Sequence, residues 1–296
     1  MKEDMQMLVP VYESVLRKEQ QNFNNEEISR AIKDIVKTYK KIHSNAPIST
    51  VDYNIGTYRF AYIYLYALCH TATVIKHLKI LKEERFENFR EMLKLGESNL
   101  NVCNLGGGPG CEVVGVLSRI GESDVPGRVK CAVLDMCLGW KKSLVYVMNA
   151  FVKSDLGKYY QSRLKCKFLE ADLCNNLSSA ATTTIEGADL VTMVKFVSVV
   201  SYYYRDNSYY LKRIFQLMKP GSYLFFLDNS TGGFFEMVSE VAEENQFVLV
   251  FQCKTYHRQK QQMRFPTYKF GTKSLQASSV IFAVWKKKEL SMCTCL

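Results

Sequence analysis

Three glycines at alternate positions, Gly106, Gly108 and Gly110, punctuate the run NVCNLGGGPGCEVVGVL at residues 101–117. Glycine takes positive φ without steric penalty and lets backbone come close to a ligand. The run reads as a buried strand, a glycine turn and an apolar helix, so free backbone N–H groups face outward at the helix start. Two acids follow at later strand ends. Asp135 closes VKCAVLD, 25 residues after Gly110, and Asp172 lies in FLEADL. An acid at the first of these places can accept hydrogen bonds from both hydroxyls of a ribose. Asp172 can accept from an exocyclic adenine amine, and Asn104, just before the turn, is within reach of an amino-acid moiety. An Asp after a strand is more often a helix cap. Three such residues in register after successive strands point instead to a nucleoside cofactor across the strand tips.

The elements that must hold these residues alternate. Strands are predicted at 101–105, 129–135, 164–169, 188–195 and 222–228, with helices at about 110–121, 140–153, 207–218 and 233–245. Such alternation implies a parallel sheet covered on both faces. The runs 247–254 and 278–286 are strands with no helix between them and should pair antiparallel at one edge. The first ninety-odd residues read as helical. Asn25 is placed as an N-cap before Glu26 and Glu27, the Asn45-Ala46-Pro47 stretch as a break, and further helices at 58–81 and 83–95. This divides the chain into a helical cap (1–97), an α/β domain (98–288) and a tail (289–296).

Gly106-x-Gly108-x-Gly110, Asp135, Glu170-Ala171-Asp172 and the terminal antiparallel pair resemble the class I S-adenosylmethionine-dependent methyltransferases. The resemblance covers about residues 100–288. It implies a Rossmann-like methyltransferase fold, a seven-stranded, mostly parallel sheet in which the last strand is inserted antiparallel. It also implies S-adenosyl-L-methionine as cofactor, with the glycine turn against its methionine part, Asp135 on ribose and Asp172 on adenine. Asn104 departs from the family, which usually has an acid there; an amide keeps an acceptor oxygen and loses charge attraction. The competing nicotinamide fingerprint Gly-x-Gly-x-x-Gly fails, because Cys111 holds its third position and Pro109 intrudes. A phosphate-binding loop ending Gly-Lys-Ser/Thr is absent.

Methyl transfer from a sulfonium is a direct displacement, so the protein mainly aligns the acceptor and manages its proton. The segment after the fourth strand, Lys195 to Arg205, is the expected source of acceptor-side groups, and it lacks an Asp/Asn-Pro-Pro-Tyr signature. Lys195 is placed near the transferred methyl or, as a snorkelling lysine, at a strand end. Tyr202, Tyr203 and Tyr204 either stack a planar acceptor or pack on the sheet. Asp228, ending LFFLD, is a candidate proton acceptor, so the candidate catalytic set is Lys195, Tyr202 and Asp228. His257 reads as a surface residue. In the N-terminal cluster Tyr53, Asn54, Tyr58, Arg59 and Tyr62, Arg59 is placed to meet the cofactor carboxylate. No metal-ligand spacing is present.

The chain of 296 residues carries a formal charge of +10, from 39 basic and 29 acidic residues. No Asp or Glu falls between Asn245 and Lys288, a stretch holding nine Lys and Arg. A one-signed surface attracts polyanions or acidic partners. Within 254–273, Tyr256, Phe265, Tyr268 and Phe270 alternate with basic residues, as in single-strand-binding surfaces. RNA or another anionic polymer is therefore the expected acceptor, with a small molecule, a protein side chain, or a cofactor-binding pseudoenzyme as alternatives. No DNA-specific motif is present. Ten scattered cysteines without C-x-x-C pairs fit a reducing compartment, cytoplasm or nucleus. No secretory signal is expected from the N-terminal sequence. The apolar run Phe60–Ile75 reads as a buried helix rather than a transmembrane span. The ending Cys293-Thr294-Cys295-Leu296 resembles a prenylation box at Cys293, or is a frayed tail.

Overall fold

A computed structural model of the chain describes residues 6–41, 51–203, 208–258, 265, 267–275 and 277–289. Seven strands form one sheet: β1 (Asn99–Leu105), β2 (Arg128–Asp135), β3 (Leu164–Glu170), β4 (Leu190–Val194), β5 (Tyr223–Asn229), β6 (Phe247–Arg258) and β7 (Ala277–Lys287). Their order is β3-β2-β1-β4-β5-β7-β6. The first five pair in parallel, and β7 enters antiparallel between β5 and β6. This is the Rossmann-like methyltransferase fold expected from the sequence. The order reverses at β1 and β4, and α/β sheets bind ligands outside the strand ends at such a crevice.

Strand side chains alternate faces, and the alternation divides the buried residues between two cores. Val102, Val129, Val133, Phe225 and Phe282 face one. Leu105, Leu134, Met193, Phe226 and Trp285 face the other. The second core is covered by α8 (Ser179–Glu186), α9 (Val197–Tyr203), α10 (Tyr209–Leu217) and α11 (Phe234–Glu244). The first is covered by α6 (Cys111–Leu117), α7 (Trp140–Phe151) and the N-terminal helices α1 (Leu8–Gln20), α2 (Asn25–Lys41), α3 (Gly56–Tyr62), α4 (Leu68–Glu84) and α5 (Phe86–Met92). The segment 1–97, read as a cap, thus shares its core with the sheet.

Several expectations need adjustment. The N-cap of α2 is Asn24, whose side-chain oxygen accepts from Glu26 N and Glu27 N while Glu27 returns a bond to Asn24 N. This is a capping box one residue earlier than read. The helix expected over 58–81 is interrupted by a π-helical turn at Ile63–Ala67. A π turn displaces the i→i−4 ladder, and here the carbonyl of Leu65 accepts the amide of Leu275 at 2.7 Å. Helices α8 and α9 were not foreseen. Ser178 caps α8 by accepting from Ala181 N. Among the described residues no helix is long and apolar enough to cross a membrane. The Asn45-Ala46-Pro47 break and the C-terminal Cys293 lie outside the described residues.

The basic C-terminal stretch is less one-signed than it reads. Lys286 pairs with Glu91 at 2.5 Å, and Lys287 donates to the carbonyls of Phe215 and Met218 at the end of α10. Cations at a helix C-terminus satisfy its free carbonyls and its dipole. Phe265, Tyr268 and Phe270, expected as faces for bases, are buried. Their rings pack on Phe60 and Tyr64 of the N-terminal helices, at centroid distances of 5.3–6.5 Å. Tyr64 also donates to Thr272 O at 2.8 Å. The insertion between β6 and β7 therefore straps the helical layer. Of the four aromatic residues only Tyr256 is exposed.

Candidate functional site

The glycine turn lies where β1 ends beside β2 and β4. Gly106, Gly108 and Gly110 all have positive φ, at 62°, 48° and 83°. A Cβ on Gly106 would sit 2.4 Å from the ring of Phe196, the second residue after β4. The turn and the β4 loop are thus in direct contact, and only glycine fits there. At Gly108 the nearest atoms to such a Cβ are in the Trp140 ring, at 3.5 Å or more. That glycine is required by its left-handed backbone and not by crowding.

Asp135 ties β2 to this turn. Its carboxylate accepts the amide of Gly108 at 3.0 Å and that of Cys137 at 2.9 Å. An ionised carboxylate has about four lone-pair sites, so two backbone bonds leave capacity for two hydroxyls. Burial raises its pKa to about 6, against the lowering effect of the two amides. The side chain remains ionised at neutral pH. Met136 and Leu138, directly after it, are exposed apolar residues, 62% and 49% accessible. They form an apolar rim beside the acid, where a purine face can rest. A second buried acid, Glu112, lies beneath the turn with Oε1 2.3 Å from a Cβ built on Gly107. Burial first, and the Asp135 charge in addition, push it up to about 8.

The other cofactor candidates are placed differently. Asn104 is fully buried; its amide donates to Ala132 O, and its oxygen accepts from Thr192. One bond at each end pins β1 to its neighbours β2 and β4, and the side chain is buried beneath the turn. Arg59 is buried beside Gly139. It donates from Nη1 to the carbonyls of Tyr53 and Asn54, and Asn54 in turn accepts from Gly139 N. Arg59 therefore braces the loop before α3 against the start of α7, and its buried Nε lacks a partner. Asp172 accepts from Cys174 N and from the Asn175 side chain. This is the cap-like turn that was the alternative reading, and half of the residue's surface chemistry is used in it.

On the acceptor side, Asp228 is fully buried and accepts the amides of Ser198 and Asn229. It anchors the start of α9 to β5, where a carboxylate complements the helix dipole. Those two amides, and not a bound group, are the partners of the side chain expected to take a proton. Lys195 has φ 55°, a left-handed conformation that costs a residue with a Cβ about 1–3 kcal/mol. Its Nζ donates to Asn229 Oδ1 at 2.5 Å and Ser278 Oγ at 3.1 Å. Burial lowers its pKa, with the nearby Asp228 charge opposing. Tyr202 lies in α9, but its side chain and those of Tyr203, Tyr204 and His257 are outside the described residues.

Lys195 borders a cavity of about 580 Å³ between the ends of β4, β5 and β7 and the N-terminal helices. Such a volume suits a small organic ligand. The sequence reading missed His70, Tyr39 and Tyr66 here, because an apolar helical run conceals which residues turn toward a cavity. His70 lies against Tyr66, ring centroids 5.8 Å apart, with Nδ1 3.3 Å from the Tyr62 hydroxyl. Burial, and to a lesser degree the Lys195 charge, lower its pKa to about 3. The π turn is the one local signal, since such turns gather at functional sites. Aromatic contacts run from this wall to the glycine turn: Tyr62 packs on Trp140 at 5.3 Å, and Trp140 on Gly108. Among the described residues no His/Cys/Asp/Glu cluster could hold a metal ion.

The fold and the glycine–carboxylate pair define a Rossmann-like protein of the methyltransferase topology. No protein-family model matches the chain, and no curated protein matches its sequence. Among solved structures it is similar to magnesium protoporphyrin IX methyltransferase from Synechocystis PCC 6803 with bound S-adenosylmethionine. The identity is 11%, the TM-score 0.45, and the match covers 90% of this chain and 99% of that one. An S-adenosylmethionine-dependent methyltransferase from Methanosarcina mazei matches at 10% identity and TM-score 0.44, over 67% and 96% of the two chains. Precorrin-6y C5,15-methyltransferase from Geobacter metallireducens matches at 10% and 0.42, over 74% and 87%.

Proposed function

We propose that this chain transfers a methyl group from S-adenosylmethionine to a small molecule held in the cavity beside Lys195. The observation that carries the reading is the bond from Gly108 N to Asp135. It fixes a left-handed glycine turn and a half-open carboxylate side by side at the strand reversal of the sheet. In this reading Asp135 holds the ribose hydroxyls, Met136 and Leu138 lie against the adenine, and the glycine turn meets the methionine part. Asp172 keeps a lone pair on each oxygen for an adenine amine. The cofactor supplies an electrophilic methyl on a sulfonium, which leaves as a neutral thioether when the acceptor's electron pair takes the carbon.

The residues of the chain then align and exclude water. Phe196 sits on Gly106, and its neighbour Lys195 borders the cavity, so one loop joins the turn to the cavity wall. His70 is neutral at physiological pH and can accept a hydrogen bond from an acceptor hydroxyl or amine. A cavity roofed by α2 and the π turn, with Tyr39 and Tyr66 in its wall, favours a small acceptor over a polymer. The burial of Phe265, Tyr268 and Phe270 points the same way, because it removes the stacking faces that an RNA reading needs. The test is methyl transfer from labelled S-adenosylmethionine into separated small-molecule, protein and RNA fractions of a cell extract. Label confined to the small-molecule fraction is expected. Label confined to RNA would overturn the assignment of acceptor, and no label in any fraction would favour the pseudoenzyme alternative.

A further inference from the structure

The cavity has an electrostatic character that the methyl-transfer reading does not use. Three lysines border it: Lys195 inside and Lys40 and Lys273 at its rim. No acid is among its described lining residues. Lys195 donates to two neutral acceptors, Asn229 and Ser278, which leaves one N–H of its ammonium over, and the nearby Asp228 charge offsets its own only in part. A partly buried ammonium with no carboxylate partner is costly, and proteins ordinarily pair or expose such a group. The lysine is also held in a left-handed conformation at the strand end, a kind of backbone strain that clusters at ligand sites.

Resting on the proposed methyltransferase reading, we infer that the cavity binds its acceptor through an anionic group, a carboxylate or phosphate seated on Lys195. Lys40 and Lys273 draw the anion to the mouth, and their charge adds to the attraction without direct contact being needed. Ser278 and Asn229 are neutral groups around the ammonium and can turn toward the bound anion. Tyr39 and Tyr66 supply apolar wall for the remainder of the molecule. The titration of the two inner groups agrees. Lys195 and His70 are both held below their ordinary ranges, His70 partly by the Lys195 charge. A bound anion opposes both tendencies, because a negative charge at the ammonium favours its charged form.

The test is calorimetry with the full chain at constant ionic strength, using benzoate and inorganic phosphate as probes and S-adenosylhomocysteine as a separate titrant. Saturable binding of benzoate, of phosphate or of both is expected, and which of them binds separates a carboxylate site from a phosphate site. Lys195→Gln should weaken that binding at least tenfold. The double variant Lys40→Gln/Lys273→Gln changes exposed side chains only, so it folds, and it should weaken binding about threefold by loss of steering charge. S-adenosylhomocysteine affinity should stay within twofold in both variants. Failure of the wild-type chain to bind either anion overturns the inference, as does binding that neither variant weakens. A tenfold loss of S-adenosylhomocysteine affinity in Lys195→Gln with anion binding intact also overturns it, because the lysine then serves the cofactor. Anion binding without any S-adenosylhomocysteine binding upholds the anion site while removing the methyltransferase reading.

Discussion

Asp135 accepts the amide proton of Gly108 at 3.0 Å, so the tip of β2 and the turn after β1 form one unit. Removing the carboxylate frees a buried amide and, in the proposed function, takes away a ligand contact. Asp135→Ala is expected to weaken S-adenosylhomocysteine binding by about tenfold to a hundredfold, the effect of one or two charge-assisted hydrogen bonds. Asp135→Asn, which keeps an acceptor for the amide, should lose less. Titration calorimetry on the three proteins checks the order; equal affinities would remove Asp135 from the site.

Gly108→Ala separates folding from binding. The added methyl meets only the Trp140 ring at 3.5 Å, so the cost to stability is the left-handed backbone alone, roughly 1 kcal/mol. Ligand affinity should fall much further than the melting temperature suggests. Gly106→Ala is expected to do the reverse and unfold the loop, since its methyl overlaps Phe196. Melting curves with and without S-adenosylhomocysteine distinguish the two.

Glu112 makes the stability depend on pH. Its folded pKa of about 8 lies above the value of an unfolded glutamate. The folded state therefore binds the proton more tightly, and stability falls as pH rises from the unfolded value through 8. Glu112→Gln should match the wild type near pH 5 and exceed it near pH 9, by on the order of 2–4 kcal/mol. Denaturant titrations at the two pH values read this directly; a variant less stable at pH 9 would mean that the ionised carboxylate has a partner.

The strap between β6 and β7 is expected to behave as core. Tyr268→Ala removes a ring packed on Phe60 and Phe270 and should cost about 3 kcal/mol. Lys269→Glu, an exposed change beside it, should alter stability by less than about 0.5 kcal/mol. Leu275→Pro deletes the amide that bonds Leu65 O and should expose the π turn to limited proteolysis.

How far the sequence could be read depended on where each residue's partners lie. The alternating strands and the antiparallel pair at the edge were legible because glycine turns, strand-end acids and apolar runs are local signals. The structural partners of Asn104 and Asp228 were not legible, because their spacing resembles a ligand contact. Their hydrogen bonds go to Ala132, Thr192, Ser198 and Asn229, partners that only the packed sheet brings near. The partners of Arg59 were hidden for a related reason, since two carbonyls in the loop before α3 take its Nη1. His70 stayed hidden because helical periodicity distinguishes core from solvent and gives no sign of an internal cavity. Phe265, Tyr268 and Phe270 alternate with charges in sequence, yet the helical layer supplies the apolar surface that buries them.

The central claim, that a sulfonium nucleoside lies between the Gly108 turn and Asp135, is tested most directly by titrating the wild-type chain with S-adenosylhomocysteine in a calorimeter. One site per chain is expected, with a dissociation constant of roughly 1 µM to 1 mM, the ordinary range of enzyme–ligand constants. A folded protein that gives no saturable heat, or one whose heat is unchanged by Asp135→Ala, would contradict the account.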